Sequence, residues 1–532
     1  MLGISLIKNF KQLGLMAFAL MPLMMRAQTG PVQFVSLGDL NTQHVSKEAV
    51  GPGATVANQA YFASSDSEHG AEIWRYNGGR AELFRDTRPG PESSNPSQFT
   101  VVDSSVVYVA DDGVHGPELY TTADISASGL LADVQPGGTH AAPTILGASN
   151  GWLWFTTSST SDNLGPATEL WVTNGTSPPT RKGYYAEDSI SHVTVLNTRA
   201  TLLFLARPFG SPPGYLDFMR GEGSRTPIQI DRLRTNPSTP IPTTPIYAAT
   251  TDFVCYQRID SNAEPMLAPF TGGSPGVLVT IASGNSKPGH FVSNETDTVC
   301  FTAAAPSDYR DVWITHGSAA TTSMLVDVPN AANTTPSRLM MSRGNPGVFF
   351  QVGSESSVRD LYFADPTATP VSIKYDSQVQ NTLQHTIVGP KEIAYIKPES
   401  SFWQVKLGNG VNDYAVNLGP LFNSVARMWN ASTTSPMGSS LFVVGTTSSN
   451  GEELYRRSGA NLQSLFLANG PPGDSAKPRN FFPFGINDQL FVANTSSEQG
   501  RLYRMSTSSN PIPITPEYTR RHLPLQRIQS AG

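Results

Sequence analysis

Two segments hold residues whose types and spacing could do chemistry: Asp66-Ser67-Glu68-His69-Gly70 and Asp112-Gly113-Val114-His115-Gly116. A carboxylate three positions before an imidazole can share a metal ion, and Asp111-Asp112-Gly113 could offer oxygens to calcium. The same residues also read as a polar turn, with glycine where φ must be positive. Neither segment has the alternating acidic spacing of a full calcium loop. Calcium stays open as a cofactor, and no residue is assigned as a metal ligand. The chain has no P-loop, H-E-x-x-H or C-x-x-C. No catalytic or cofactor-binding residue is assigned either.

The two cysteines, Cys255 and Cys300, form neither a disulfide framework nor a metal cluster. They sit one position apart in a repeat register and so point to opposite faces of their strands. A bond between neighbouring sheets would have to bring Cα atoms within about 7 Å, when packed sheets lie about 10 Å apart. Two small buried core residues is the favoured reading, with a bond as the alternative. Asn174, Asn294, Asn333, Asn430 and Asn494 each begin an N-x-[ST] sequon, a pattern that Ser/Thr-rich turns also produce.

The elements that would position these residues come from a repeat. A unit built on Glu169-Leu170-Trp171-Val172-Thr173-Asn174-Gly175-Thr176 returns as Asp311-Val312-Trp313-Ile314-Thr315-His316-Gly317-Ser318. Its aromatic falls at Trp74, Tyr120, Trp171, Phe218, Trp313, Tyr362, Trp403, Tyr455 and Tyr503, with Leu267 in the missing slot. Successive positions differ by roughly 41–52 residues, which suits propeller blades. Helix-pair repeats would show apolar residues three and four apart, and these segments do not.

Each unit supplies four strand signals. A proline introduces the first, as in Pro96-Ser97-Gln98-Phe99 and Pro478-Arg479-Asn480-Phe481. The second opens on an apolar pair such as Tyr61-Phe62 or Leu490-Phe491, and the third carries the anchor. The fourth runs into Asp and a turn, as at Leu83-Phe84-Arg85-Asp86 and Leu131-Ala132-Asp133, closed by Pro89-Gly90 and Pro136-Gly137. Phe62, Tyr108, Phe301, Phe350 and Phe491 each lie twelve positions before their anchor, as two strands joined by a fixed loop would require. The expectation is an all-β propeller of about ten four-stranded blades. One large ring is favoured, with two five-bladed rings as the alternative. A single blade cannot bury both faces, so the aromatic series is read as inter-blade core, not as a stacking platform for sugars.

These residues resemble the secreted bacterial proteins named for the ELWxxDGT repeat. Glu72-Ile73-Trp74, Glu118-Leu119-Tyr120, Glu169-Leu170-Trp171 and Glu453-Leu454-Tyr455 match its core, and Asp86 through Gly90 and Asp133 through Gly137 its closing turn. The likeness runs over about residues 50–510. It fades around Leu216-Asp217-Phe218 and Phe402-Trp403-Gln404, where only the hydrophobic pattern survives. The resemblance implies a propeller and an exported location, and brings no catalytic site.

The rest of the sequence bounds the function. Residues 1–27 read as a signal peptide, with Lys8 and Lys11 before an apolar run from Leu13 to Met25 that is short for a membrane span. An uncleaved anchor is the alternative. Residues 28–510 are the repeat domain and 511–532 a locally basic tail. Val32 to Leu37 is expected to add an edge strand that fastens the ring. The 532 residues would by length suggest roughly three or four domains, but stacked repeats need no separate cores. Charged residues are only 15% and the net charge is -6, with no basic stripe, so a nucleic-acid partner is not expected. The expected protein is a monomeric, non-catalytic, secreted or cell-surface module binding a protein or glycan ligand, with no transmembrane span once mature. A carbohydrate-active hydrolase or lyase, and a calcium-stabilised matrix protein, are the alternatives.

Overall fold

The computed structural model describes residues 50–514 apart from short internal stretches, the longest being 235–244 and 431–440. Ten four-stranded antiparallel sheets follow one another, each made of four consecutive strands in simple sequence order. Blade 1 spans Val50–Arg85, blade 2 Ser97–Ala132, blade 3 Thr144–Ala186, blade 4 Ser191–Arg234 and blade 5 Tyr247–Val277. Blade 6 spans Gly289–Val326, blade 7 Thr335–Val379, blade 8 His385–Phe422, blade 9 Ser424–Ser464 and blade 10 Arg479–Pro513. The only helix among the described residues is a single 3-10 turn at Ala319–Thr321.

The blades close into one ring. Ten hydrophobic clusters fill the ten spaces between neighbours, and each draws on two adjacent blades. Phe62 and Ala60 of blade 1 pack with Phe482, Leu490 and Leu502 of blade 10, which shuts the circle. Blade 5 packs on blade 6 through Cys255, Phe253, Phe301 and Val299. Two five-bladed rings would need blade 5 to turn back onto blade 1, so the single ring stands. Among the described residues this closure is side-chain packing alone, since blades 1 and 10 are each complete. The segment Val32–Leu37 and the whole of residues 1–27 lie outside the described residues, as does Pro136-Gly137. The last strand of blade 10 is Ile512–Pro513, and Ile514 is buried beside blade 1, so the sheet runs past the expected boundary at 510.

The anchor aromatics do fill the spaces between blades, and several form ladders. Phe99, Tyr108 and Tyr120 stack at 5.7 and 5.9 Å, and Phe481, Phe491 and Tyr503 at 5.1 and 5.5 Å. Burial of each such ring contributes about 1.5–3 kcal/mol. The expected register needs correction in three blades. Trp74, Tyr120, Trp171, Trp313, Tyr362, Tyr455 and Tyr503 face the preceding blade. Phe218, Leu267 and Trp403 face the following one. Side chains alternate with period two, so a one-residue offset sends the whole set across the sheet. In blade 4, Met219 takes the backward-facing place beside Trp154 and Phe204. In blade 8 that face is partly polar: beside Ile393 and the Tyr395 ring, Lys397 (2.6 Å) and Lys406 (3.7 Å) reach Asp376 of blade 7, and the Tyr395 hydroxyl donates to it at 2.8 Å.

The same offset decides the cysteines. Cys255 lies between blades 5 and 6 and Cys300 between blades 6 and 7, both fully buried and both free thiols. Phe301, not Cys300, is the blade 6 residue that meets Cys255. The motif glycine also has a packing role. Gly317 has φ +88, and a Cβ there would come within 2.7 Å of the Phe253 ring in blade 5. Gly175, at φ +78, packs likewise on Val102, Ser105 and Val107 of blade 2.

Candidate functional site

Three acids of the anchor motif, Glu72, Glu264 and Asp311, hold loops. Glu72 is fully buried and accepts from Thr87 N at 2.9 Å, Ser94 N at 3.0 Å and the Ser94 hydroxyl at 2.6 Å. It holds the loop that leads from blade 1 into blade 2. Burial pushes its carboxyl above the usual carboxylate range, against the pull of those donors. Asp311 accepts from Val328 N at 3.0 Å, and Glu264 accepts from the Ser286 hydroxyl at 2.7 Å, both on the equivalent loops. Burial raises the Asp311 carboxyl as well.

The two Asp-His segments are turns. Asp66 Oδ1 accepts from Glu68 N and His69 N at 2.9 and 2.7 Å, and His69 Nδ1 lies 3.0 Å away. Asp112 Oδ1 accepts from Val114 N and His115 N, both at 2.9 Å, and its Oδ2 is 2.7 Å from His115 Nδ1. Burial would raise the Asp112 carboxyl, but the His115 and Val114 hydrogen bonds outweigh it and pull it down to about 2. The hydrogen bond and charge of Asp112 in turn raise His115. Asp111 Oδ1 accepts from Gly113 N at 2.7 Å. The oxygens that a calcium ion would need are therefore already closing turns. Among the described residues, no three His, Cys, Asp or Glu gather where they could hold a metal. The sequons act the same way. Asn174 accepts from Thr176 N and Ser177 N, and Asn294, 1% exposed, accepts from three successive amides. Asn333 lies outside the described residues.

The ring itself creates the remaining site. First strands of successive blades lie against one another, as between blades 10 and 1, 1 and 2, 2 and 3, and 5 and 6, so they line the axis. Each is the edge of its sheet. Most carry a bulge near their start, where the pairing with the second strand skips residues. At that bulge Gln98, His192, His290, Arg338 and Asn480 take positive φ of 50–53°. A non-glycine residue in that conformation costs about 1–2 kcal/mol, and bulges of this kind re-aim a side chain. The bulge turns the next residue, Phe99, Phe291 or Phe481, onto the blade face, where it stacks on the second strand. The polar residue stays at the inner edge. Gln98 there donates to Pro143 O and accepts from Ile145 N, both at 2.8 Å, tying blade 2 to the first strand of blade 3.

A cleft of about 260 Å³ opens between the first strands of blades 4, 5 and 6. Its walls include Thr194, Leu196, Tyr247, Ala249, Phe291 and Val292, with Glu295 at one lip. The Tyr247 hydroxyl donates to His192 O and lies 2.9 Å from Thr194 Oγ1, which fixes the wall between blades 4 and 5. Sequence reasoning missed this site. Its trace was the polar residue between proline and aromatic, as in Pro96-Ser97-Gln98-Phe99 and Pro288-Gly289-His290-Phe291.

No family profile matches the chain. No curated protein matches it either. Solved structures do. A eukaryotic initiation factor matches with TM-score 0.40 and 8% identity, over 73% of this chain and 91% of that one. The β-propeller domain of the Trilobed protease from Pyrococcus furiosus, described as having an open velcro topology, matches with TM-score 0.31 and 7% identity, over 71% and 99%. A prolyl endopeptidase matches with TM-score 0.34 and 9% identity over 69% of this chain, which spans about half (54%) of that protein. Likenesses this distant carry no functional argument. The resemblance to ELWxxDGT-repeat proteins rests on the motif residues alone.

Proposed function

We propose that the chain is an exported, non-catalytic binding module that takes its ligand at the central channel. One observation carries the reading. The Asp66, Glu72, Asp112 and Asp311 carboxylates are engaged in holding loops and turns, while the axis presents a cleft and a series of re-aimed polar residues. A two-carboxylate hydrolase needs its acids about 5–9.5 Å apart across a bond. The first strands contain no Asp or Glu. Export follows the reading of residues 1–27, and the extracellular setting follows the ELWxxDGT resemblance.

The test is a screen of the chain without residues 1–27 against arrayed glycans and secreted proteins, repeated with Thr194→Trp. Thr194 is exposed on the cleft wall, so the indole would fill the cleft. Ligands lost with the variant support the channel. A ligand indifferent to it, or turnover of an arrayed glycan, would refute the reading.

A further inference from the structure

The ten first strands differ from the rest of the molecule in charge. None carries Asp, Glu or Lys, while they hold Arg338, Arg427, Arg479, His192, His290 and His385. The chain as a whole is acidic, with net charge -6. Low β-propensity of acids is not the reason. The third strands of the same blades carry them repeatedly, at Glu72, Glu118, Glu169, Asp217, Asp311 and Glu453. The first strands are thus basic in composition within an acidic protein.

These basic residues share one region. All blades have the same strand order, so the starts of their first strands lie at one mouth of the channel. His192, His290, Arg338, His385 and Arg479 lie within the first four residues of their strands, and Arg427 is the fourth residue of its own. Arg427 is exposed and sits 5.1 Å over the Trp429 ring and 5.6 Å from that of Phe481. Asp188, in the loop before blade 4, is an acid near His192 in sequence, and Glu295 lies at the opposite turn. Arginines of blades 7, 9 and 10, with histidines of blades 4, 6 and 8, match a chain of negative charges better than a single anion.

We infer that the channel binds an acidic polypeptide segment in extended form, its carboxylates on the mouth arginines and its apolar side chains in the cleft of blades 4–6. The inference rests on the channel reading above and names the ligand class. Arginine forks pair with carboxylates in two parallel hydrogen bonds. On the cleft wall Leu196, Ala249, Phe291 and Val292 suit aliphatic side chains.

The probe is a fluorescent peptide of alternating Glu and Val, followed by anisotropy, with its Gln-Val isostere and a sulfated oligosaccharide as comparisons. The Glu-Val peptide should bind, weaken with added salt, and bind at least tenfold more tightly than the isostere. Arg338→Gln and Arg427→Gln should each weaken it by roughly tenfold. Arg225→Gln, at an 81% exposed side chain on a strand-joining turn, should leave it unchanged. Retained melting checks the fold of each variant, and Arg427→Gln, at an exposed site, keeps the test valid if Arg338→Gln misfolds. No binding, equal binding of the isostere, equal weakening by Arg225→Gln, or binding of the sulfated oligosaccharide alone would overturn the inference. A neutral ligand from the array that Thr194→Trp blocks would also overturn it, while leaving the channel reading intact.

Discussion

Replacing Glu72 by alanine should show how the repeat's acid holds one blade to the next. The change leaves the Thr87 amide, bonded to Glu72 at 2.9 Å, without an acceptor in a fully buried site. Ser94 N keeps a bond to Ala71 O at 3.1 Å, and the Ser94 hydroxyl falls back on the same oxygen at 3.4 Å. One orphaned amide costs about 1–3 kcal/mol, and weakening the charged bonds to Ser94 adds about 1, so the loss should be about 3 kcal/mol. Urea unfolding measures the loss, and hydrogen exchange over residues 86–95 should show that loop opening first. Glu72→Gln keeps the volume and removes the titration. Burial raises the folded carboxyl above 4.5, so its stabilising contribution is complete below that value and is lost as pH rises through the raised one. Wild type should therefore gain on Glu72→Gln as pH falls from neutral toward 4.5. A Glu72→Ala loss no larger than that of exposed Glu92→Ala, or a difference that moves the other way with pH, would refute the reasoning.

Asp376→Ala strands Lys397 and Lys406 between blades 7 and 8 and should cost about 3 kcal/mol, whereas Tyr395→Phe removes one hydrogen bond and should cost about 1, both read by urea unfolding. Asp112→Asn should lower the His115 titration midpoint toward 6.5 in NMR spectra. In wild type the Asp112 contribution should persist above 3.8 and disappear as pH falls toward about 2. Gly317→Ala meets both a positive φ and the Phe253 ring and should cost about 2 kcal/mol or more, with Gly78→Ala, which meets nothing nearby, as the milder control. Cys255 and Cys300 should resist a thiol reagent in the native protein and react fully in denaturant, with no mobility change on reduction. Melting that is unchanged by a chelator would count against the calcium-stabilised alternative.

Much of the fold was legible because its signals are local. Proline before the first strand, the apolar pair of the second and the Glu-Leu-Trp of the third each follow from alternation and turn chemistry within a few residues. They gave ten sheets in order, and also the polar turns at Asp66 and Asp112. The task of the anchor motif's acid was not legible, because its hydrogen-bond donors lie 15–22 positions away, on the loop that it holds.

By itself the sequence determined ten four-stranded units, their order and their aromatic cores, since strand pairing within a blade is set by neighbouring residues. The tertiary structure decided which face each anchor takes in blades 4, 5 and 8, and why Cys255 meets Phe301 instead of Cys300. It also made the channel. The residues on its wall lie tens of positions apart and share no motif beyond a polar bulge. Only closure of the ring, summed over ten inter-blade contacts, places them around one axis.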